Sequence, residues 1–106
     1  MKQIIFPDFV VDIMSIDDWN VQDDNIDIEV KLHDGRKYAA TLFTLMNVAS
    51  LLNKFSVEKE NANGTYFWSS HGIILKDLSI KSIESTIVDL VSTNTISRAM
   101  LEINTE

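Results

Sequence analysis

The chain has no cysteine, one proline and three isolated glycines, and it contains no long apolar run. Each absence removes a class of function. Without cysteine there is no disulfide, no Cys-based zinc site, no iron–sulfur ligation and no thiol nucleophile. The glycines stand alone at positions 35, 64 and 72, so no glycine-rich loop of the usual form can cradle a phosphate. No apolar stretch reaches the roughly eighteen residues that a membrane helix requires. The opening "MKQIIFPDFVVDIM" is interrupted by Pro7, Asp8 and Asp12 and does not read as a secretory leader. The expectation is a cytoplasmic protein with no membrane anchor.

Positive charge is missing from one stretch in particular. "SIDDWNVQDDNIDIEV", residues 15–30, holds Asp17, Asp18, Asp23, Asp24, Asp27 and Glu29 and no lysine or arginine. The net charge of −7 belongs entirely to the first third of the chain: residues 1–34 carry nine acids against two lysines, and residues 35–106 carry seven acids against seven bases. Such a segregated face repels nucleic acid and anionic membrane, because phosphate binding requires Lys and Arg. It attracts a basic partner and speeds its association. The bland alternative is a solvated loop and strand face that keeps an edge strand from aggregating.

What remains is an ordinary globular composition, 45% hydrophobic and 24% charged over 106 residues, which fits a single domain spanning 1–106. Residues 9–16, "FVVDIMSI", read as a first strand behind Pro7, and 17–25 as a loop. From Ile26 the alternation is strict, with Ile26, Ile28, Val30 and Leu32 on one face and Asp27, Glu29, Lys31 and His33 on the other, which is a half-buried strand. Asp34-Gly35 predicts a type I′ hairpin, with residues 36–43 as the returning strand. Spacing then changes to three and four: Leu45, Val48, Ala49, Leu52 and Phe55 predict a helix over 44–58 with Thr44 as N-cap. Asn61, Asn63 and Gly64 mark a turn.

Residues 65–77 read either as one long strand bent at Gly72, the preferred reading, or as two short strands in a hairpin around Ser70 to Gly72, with Tyr66 and Trp68 on one face and Phe67 on the other. Asp77 or Ser79 caps a second helix whose stripe is Ile80, Ile83, Ile87, Leu90 and Val91. Residues 96–103 form a terminal strand or a last helical turn. The predicted class is α+β, with a mainly antiparallel sheet of about four to five strands and two helices packed on one face.

Chemical signatures are weak. Asp23, Asn25 and Asp27 reproduce the start of an EF-hand loop, with Asp34 twelfth, but Ile28 stands where that loop needs glycine and Asp34 where it needs a bidentate Glu. "SSHG" (Ser69 to Gly72) and the His33–Asp34 pair offer the residue types of a hydrolytic triad without a nucleophile elbow or an oxyanion turn. His33 is expected beside its turn in solvent and His71 at a strand bend. The chain is therefore read as no enzyme, with no metal and no cofactor. Trp19, in a polar acidic loop, suits either a cap over a core edge or an exposed anchor in a binding surface.

Together with size, acidity and absence of cysteine, the succession "IDIEVKLHDGRKYAATLF" and "YFWSSHGIILKDLSIKSIESTIVDLV" (hairpin, helix, strand, amphipathic helix) resembles the small cytoplasmic immunity proteins of bacterial polymorphic-toxin and contact-dependent growth inhibition systems. That resemblance implies a protein that binds its cognate toxin domain, often a basic nuclease, and neutralises it. It brings no residue assignment of its own. The charge and aromatic pattern nominates Asp17, Asp18, Trp19, Asp23, Asp24, Asp27 and Glu29 as the partner-binding residues. The alternative is a non-catalytic α+β interaction or regulatory module, homodimeric through a strand edge.

Overall fold

Alternation builds the centre of the sheet. In the computed structural model, which describes residues 1–14 and 16–103, β3 (Asn25–Leu32) buries Ile26, Ile28, Val30 and Leu32 and turns Asn25, Asp27, Glu29 and Lys31 to the other face. On one side of it lies β2 (Phe9–Ile13), which buries Phe9, Val11 and Ile13. On the other lies β4 (Lys37–Thr44), which buries Tyr38, Ala40 and Leu42 on the same face. The described residues form a six-stranded sheet in the order β1 (Lys2–Ile5), β2, β3, β4, β5 (Gly72–Leu75), with β6 (Leu101–Ile103) also on β4. All pairings are antiparallel except β4 with β5. β5 and β6 share one edge of β4: β5 takes Thr41 to Thr44 and β6 takes Lys37 to Ala39. The α+β class and the mainly antiparallel sheet agree with the sequence reading.

One face of the sheet is closed by α3 (Ile80–Ser92) and the short α4 (Ile96–Ala99). Ile83, Ile87, Ile96 and Met100 are buried against the sheet's apolar face, and complete burial of such a side chain stabilises by about 1.5–3 kcal/mol. Ser79 caps α3 by accepting from the Ser82 N–H, and Asp77 Oδ1 accepts from the Ser79 N–H.

The first predicted helix behaves differently. α1 (Leu45–Glu58) has the expected Thr44 cap, whose Oγ1 accepts from the Asn47 N–H, yet none of its residues is fully buried and Leu45 is exposed. It crosses from β4 to β5 on the face opposite α3. There Phe67 meets Phe43 edge to face, with centroids 5.1 Å apart, and Asn25 Nδ2 donates to Asn47 Oδ1 at 2.9 Å. The pair of helices on the core face is therefore α3 and α4, where the sequence had pointed to α1 and α3.

Three local expectations are corrected. The hairpin turn is not a two-residue type I′ turn: only Gly35 has positive φ (92°), and Leu32 N–H donates to Arg36 O, the pattern of a three-residue loop closing on a glycine bulge. Residues 65–71 are not strand. α2 (Asn61–Gly64) is a single left-handed turn, with φ of 49°, 52°, 61° and 78° along its four residues, and it sends the chain back along α1. Only after His71 (φ 59°) does the chain join β4. Finally, Lys2–Ile5 forms an edge strand that the sequence reading did not foresee, and the strand read over 9–16 ends at Ile13, with Ser15 outside the described residues.

Candidate functional site

The acidic stretch does not form one surface. Residues 16–24 cross the end of the sheet and are stitched to the helical side: Trp19 Nε1 donates to Leu78 O at 2.8 Å, and Leu78 N–H donates to Val21 O at 2.8 Å. Trp19 packs half-buried on the core, with Lys2 Nζ 5.5 Å from its ring centroid. Of the two readings open to it, the cap over a core edge is the one the geometry matches.

The loop carboxylates have local roles. Asp18 Oδ1 accepts from the Trp19 N–H, and Asp24 accepts from the N–H groups of Asn20 and Asn25. Asp17 lies 3.0 Å from the Met1 ammonium. Asp23 is half-buried beside the Asn20 turn. The carboxylates of Asp17, Asp18 and Asp24 thus hold a loop that contains no regular structure, while Asp23 is engaged there through its backbone N–H.

Asp27 and Glu29 stand elsewhere, on the sheet face that α3 leaves open. Four cross-strand rows run over that face. The first is Ile5, Val10, Lys31, Lys37 and Ile103; the second is Gln3, Asp12, Glu29, Ala39 and Leu101. The third is Asp27, Thr41 and Gly72, and the fourth is Asn25, Phe43 and Ile74. The α1 crossover covers Phe43 in the fourth row. Among the described residues no helix covers the other three rows, although Ser70 and His71 border the third.

Where the crossover meets the open rows, a cleft of about 270 Å³ forms, with Asp27, Glu29, Ala39 and Thr41 in its floor and Met14, Ser70, His71 and Leu101 around it. Thr41 Oγ1 donates to Asp27 Oδ1 at 2.6 Å, and Gln3 Nε2 donates to Asp12 Oδ1 at 2.9 Å. No lysine or arginine among the described residues forms an ion pair with Asp12, Asp27 or Glu29; the two ion pairs present are Met1–Asp17 and Arg36–Asp34. Two aromatic rings are exposed on the irregular return from α1, Trp68 at 72% and Tyr66 at 49%, and both are of the residue types that dominate binding energy where proteins meet.

The cleft unites His71 and Ser70 with two carboxylates, so its chemistry has to be weighed. Ser70 Oγ lies 3.1 Å from His71 Nδ1, a contact between chain neighbours. Asp27 is engaged by Thr41, and among the described residues no carboxylate hydrogen-bonds the imidazole. Among the described residues no acid orients the ring as a triad requires. Asn25 and Asp27 lie within β3 and Asp34 in the hairpin turn beyond it, so the EF-hand-like spacing does not form a loop; among the described residues no group of three or more His, Asp or Glu is placed to share a metal ion. Among the described residues no helix is long and apolar enough to cross a membrane.

The carboxyl of Asp77 is held down to about 2 by the hydroxyls of Ser79 and Ser82 and the Ser79 N–H. That of Asp34 is lowered by the Arg36 N–H and guanidinium, and Glu60 is raised by the neighbouring Glu58 carboxylate. A polar depression of about 430 Å³ beside Lys76, Lys81 and the start of α3 already holds the Asp77 carboxylate at the helix amides, which opposes an anionic ligand.

Sequence reasoning missed Asp12, Ser70, His71 and Leu101 as members of this surface. Asp12 was legible, since it alternates with Val11 and Ile13 and so must face away from the core. The gathering of Ser70 and His71 over β3 and β4 depends on the left-handed turn and carries no sequence signal. Comparison with known families, with curated proteins and with solved structures finds no match to this chain.

Proposed function

We propose that this protein is a non-catalytic cytoplasmic immunity protein that binds a basic toxin domain and neutralises it. The observation that supports this reading is the open sheet face. Asp12, Asp27 and Glu29 are gathered on one accessible surface, none of them in an ion pair among the described residues, and the adjoining cleft is rimmed by Ser70, two positions after the exposed Trp68. Asp12 and Glu29 sit directly opposite each other, an arrangement that destabilises an isolated sheet. Cations of a partner relieve that repulsion on binding. The contact surface is thus centred on Asp27 and Glu29, with Asp17, Asp18, Asp23 and Asp24 supplying the longer-range field that steers a basic protein toward it.

The test is binding to the toxin encoded beside this protein's gene, measured across a salt series with the wild type and with Asp12→Lys, Asp27→Lys and Glu29→Lys combined. The proposal expects an association rate that falls steeply with salt, and a loss on the order of tenfold or more in that rate for the variant. Unchanged binding by the folded variant would contradict it.

A further inference from the structure

The open face carries a second charge pattern, one that matches itself. Lys31 and Lys37 are direct cross-strand partners in the first row, and Asp12 and Glu29 are direct partners in the row beside it. Each like-charged pair is unfavourable where it stands. Within the described residues no ion pair joins the acidic row to the basic one, although Glu29 and Lys31 are two residues apart on β3. The face is therefore bipolar, with an acidic half next to a basic half.

We infer that this face joins two copies of the chain in a twofold dimer, each copy laying Lys31 and Lys37 over the acidic row of the other. A twofold axis lying between the two sheets, parallel to the rows and midway between the first and second, exchanges those rows. Lys31 of each copy then faces Glu29 and the neighbouring Asp12 of its mate. Lys37 faces the small Ala39 at the floor of the cleft, which leaves room for its chain. At the β6 margin Leu101, 53% exposed, meets Ile103 of the other copy and adds apolar contact. Stacked sheets lie roughly 10 Å apart, a spacing that long lysine and glutamate side chains span. The interface is self-complementary and closes at two copies.

The inference is independent of the toxin, because the test contains no partner. Where both hold, the second copy and the toxin compete for one face, and toxin binding dissociates the dimer. The measurement is sedimentation equilibrium of the purified chain at low salt, with folding of each variant checked by circular dichroism. The double reversal Asp12→Lys with Glu29→Lys, and separately Lys31→Glu with Lys37→Glu, should each raise the dimer dissociation constant at least tenfold. All four reversals together rebuild the complementary face and should restore wild-type association to within a few-fold. A wild type that stays monomeric to millimolar concentration overturns the inference. So does a dimer indifferent to the double reversals, which places the contact on a strand edge, or a fourfold variant that fails to recover.

Discussion

Asp12 and Glu29 stand opposite each other across β2 and β3, two carboxylates on an accessible face to which, among the described residues, only Gln3 donates a side-chain hydrogen bond. Cross-strand pairs of like charge destabilise a sheet by roughly 0.2–1 kcal/mol. Replacing Glu29 by Gln should therefore make the free protein more stable by about that amount in urea unfolding, while weakening its binding to a basic partner. A variant that loses stability would show that Glu29 has a structural task.

Trp19 tests the division between loop and face. Trp19→Phe keeps much of the packing but removes the donor to the Leu78 carbonyl, at a cost of about 1–3 kcal/mol if that oxygen is left dry. Equilibrium unfolding should show the loss. Partner binding by the folded variant should be unchanged, since the indole serves the core.

Trp68 should behave in the opposite way. At 72% exposed it contributes little to folding, so Trp68→Ala should leave the unfolding midpoint close to wild type. If it anchors the interface, the same change should weaken partner binding by about 2 kcal/mol or more. Calorimetric titration checks the second half.

The left-handed turn makes neighbouring residues respond with opposite signs. Ala62 at φ 52° and ψ 48° bears a penalty of roughly 1–2 kcal/mol that glycine escapes, so Ala62→Gly should stabilise by up to about 1 kcal/mol. Gly64→Ala should destabilise, because a Cβ there collides with the Leu52 carbonyl and with Ser56 as well as straining φ at 78°. Thermal unfolding of the two variants reads both signs.

Acid should reveal Asp77. Its folded pKa is depressed from 3.8 to about 2, so the unfolded state binds its proton first as pH falls. The stability it contributes is complete above about pH 4 and is lost as pH drops through about 2. Asp77→Asn should flatten that part of the stability profile. An unfolding series between those limits, run on both proteins, measures it.

Much of this fold was legible because its signals were local. The alternation Ile26 to Leu32 fixed β3 and its two faces, and Thr44 and Ser79 marked the helix starts through the hydroxyls that cap them. Non-local effects hid the rest. "KQII" becomes a strand only because β2 offers it an edge. Tyr66, Phe67 and Trp68 alternate as expected, yet no strand lies beside them, since the turn at 61–64 returns them along α1. The acidic run was visible as composition, but its division between a core-capping loop and an open sheet face follows from where Trp19 finds the Leu78 carbonyl.

The most direct test is a chemical-shift titration of the ¹⁵N-labelled protein with the neighbouring gene's toxin domain, catalytically inactivated. We expect the largest perturbations at Asp12, Asp27, Glu29, His71 and the Trp68 indole, with the loop 16–24 little affected. Perturbations confined to the loop or to the α3 surface, with the open face silent, would contradict the proposed binding mode.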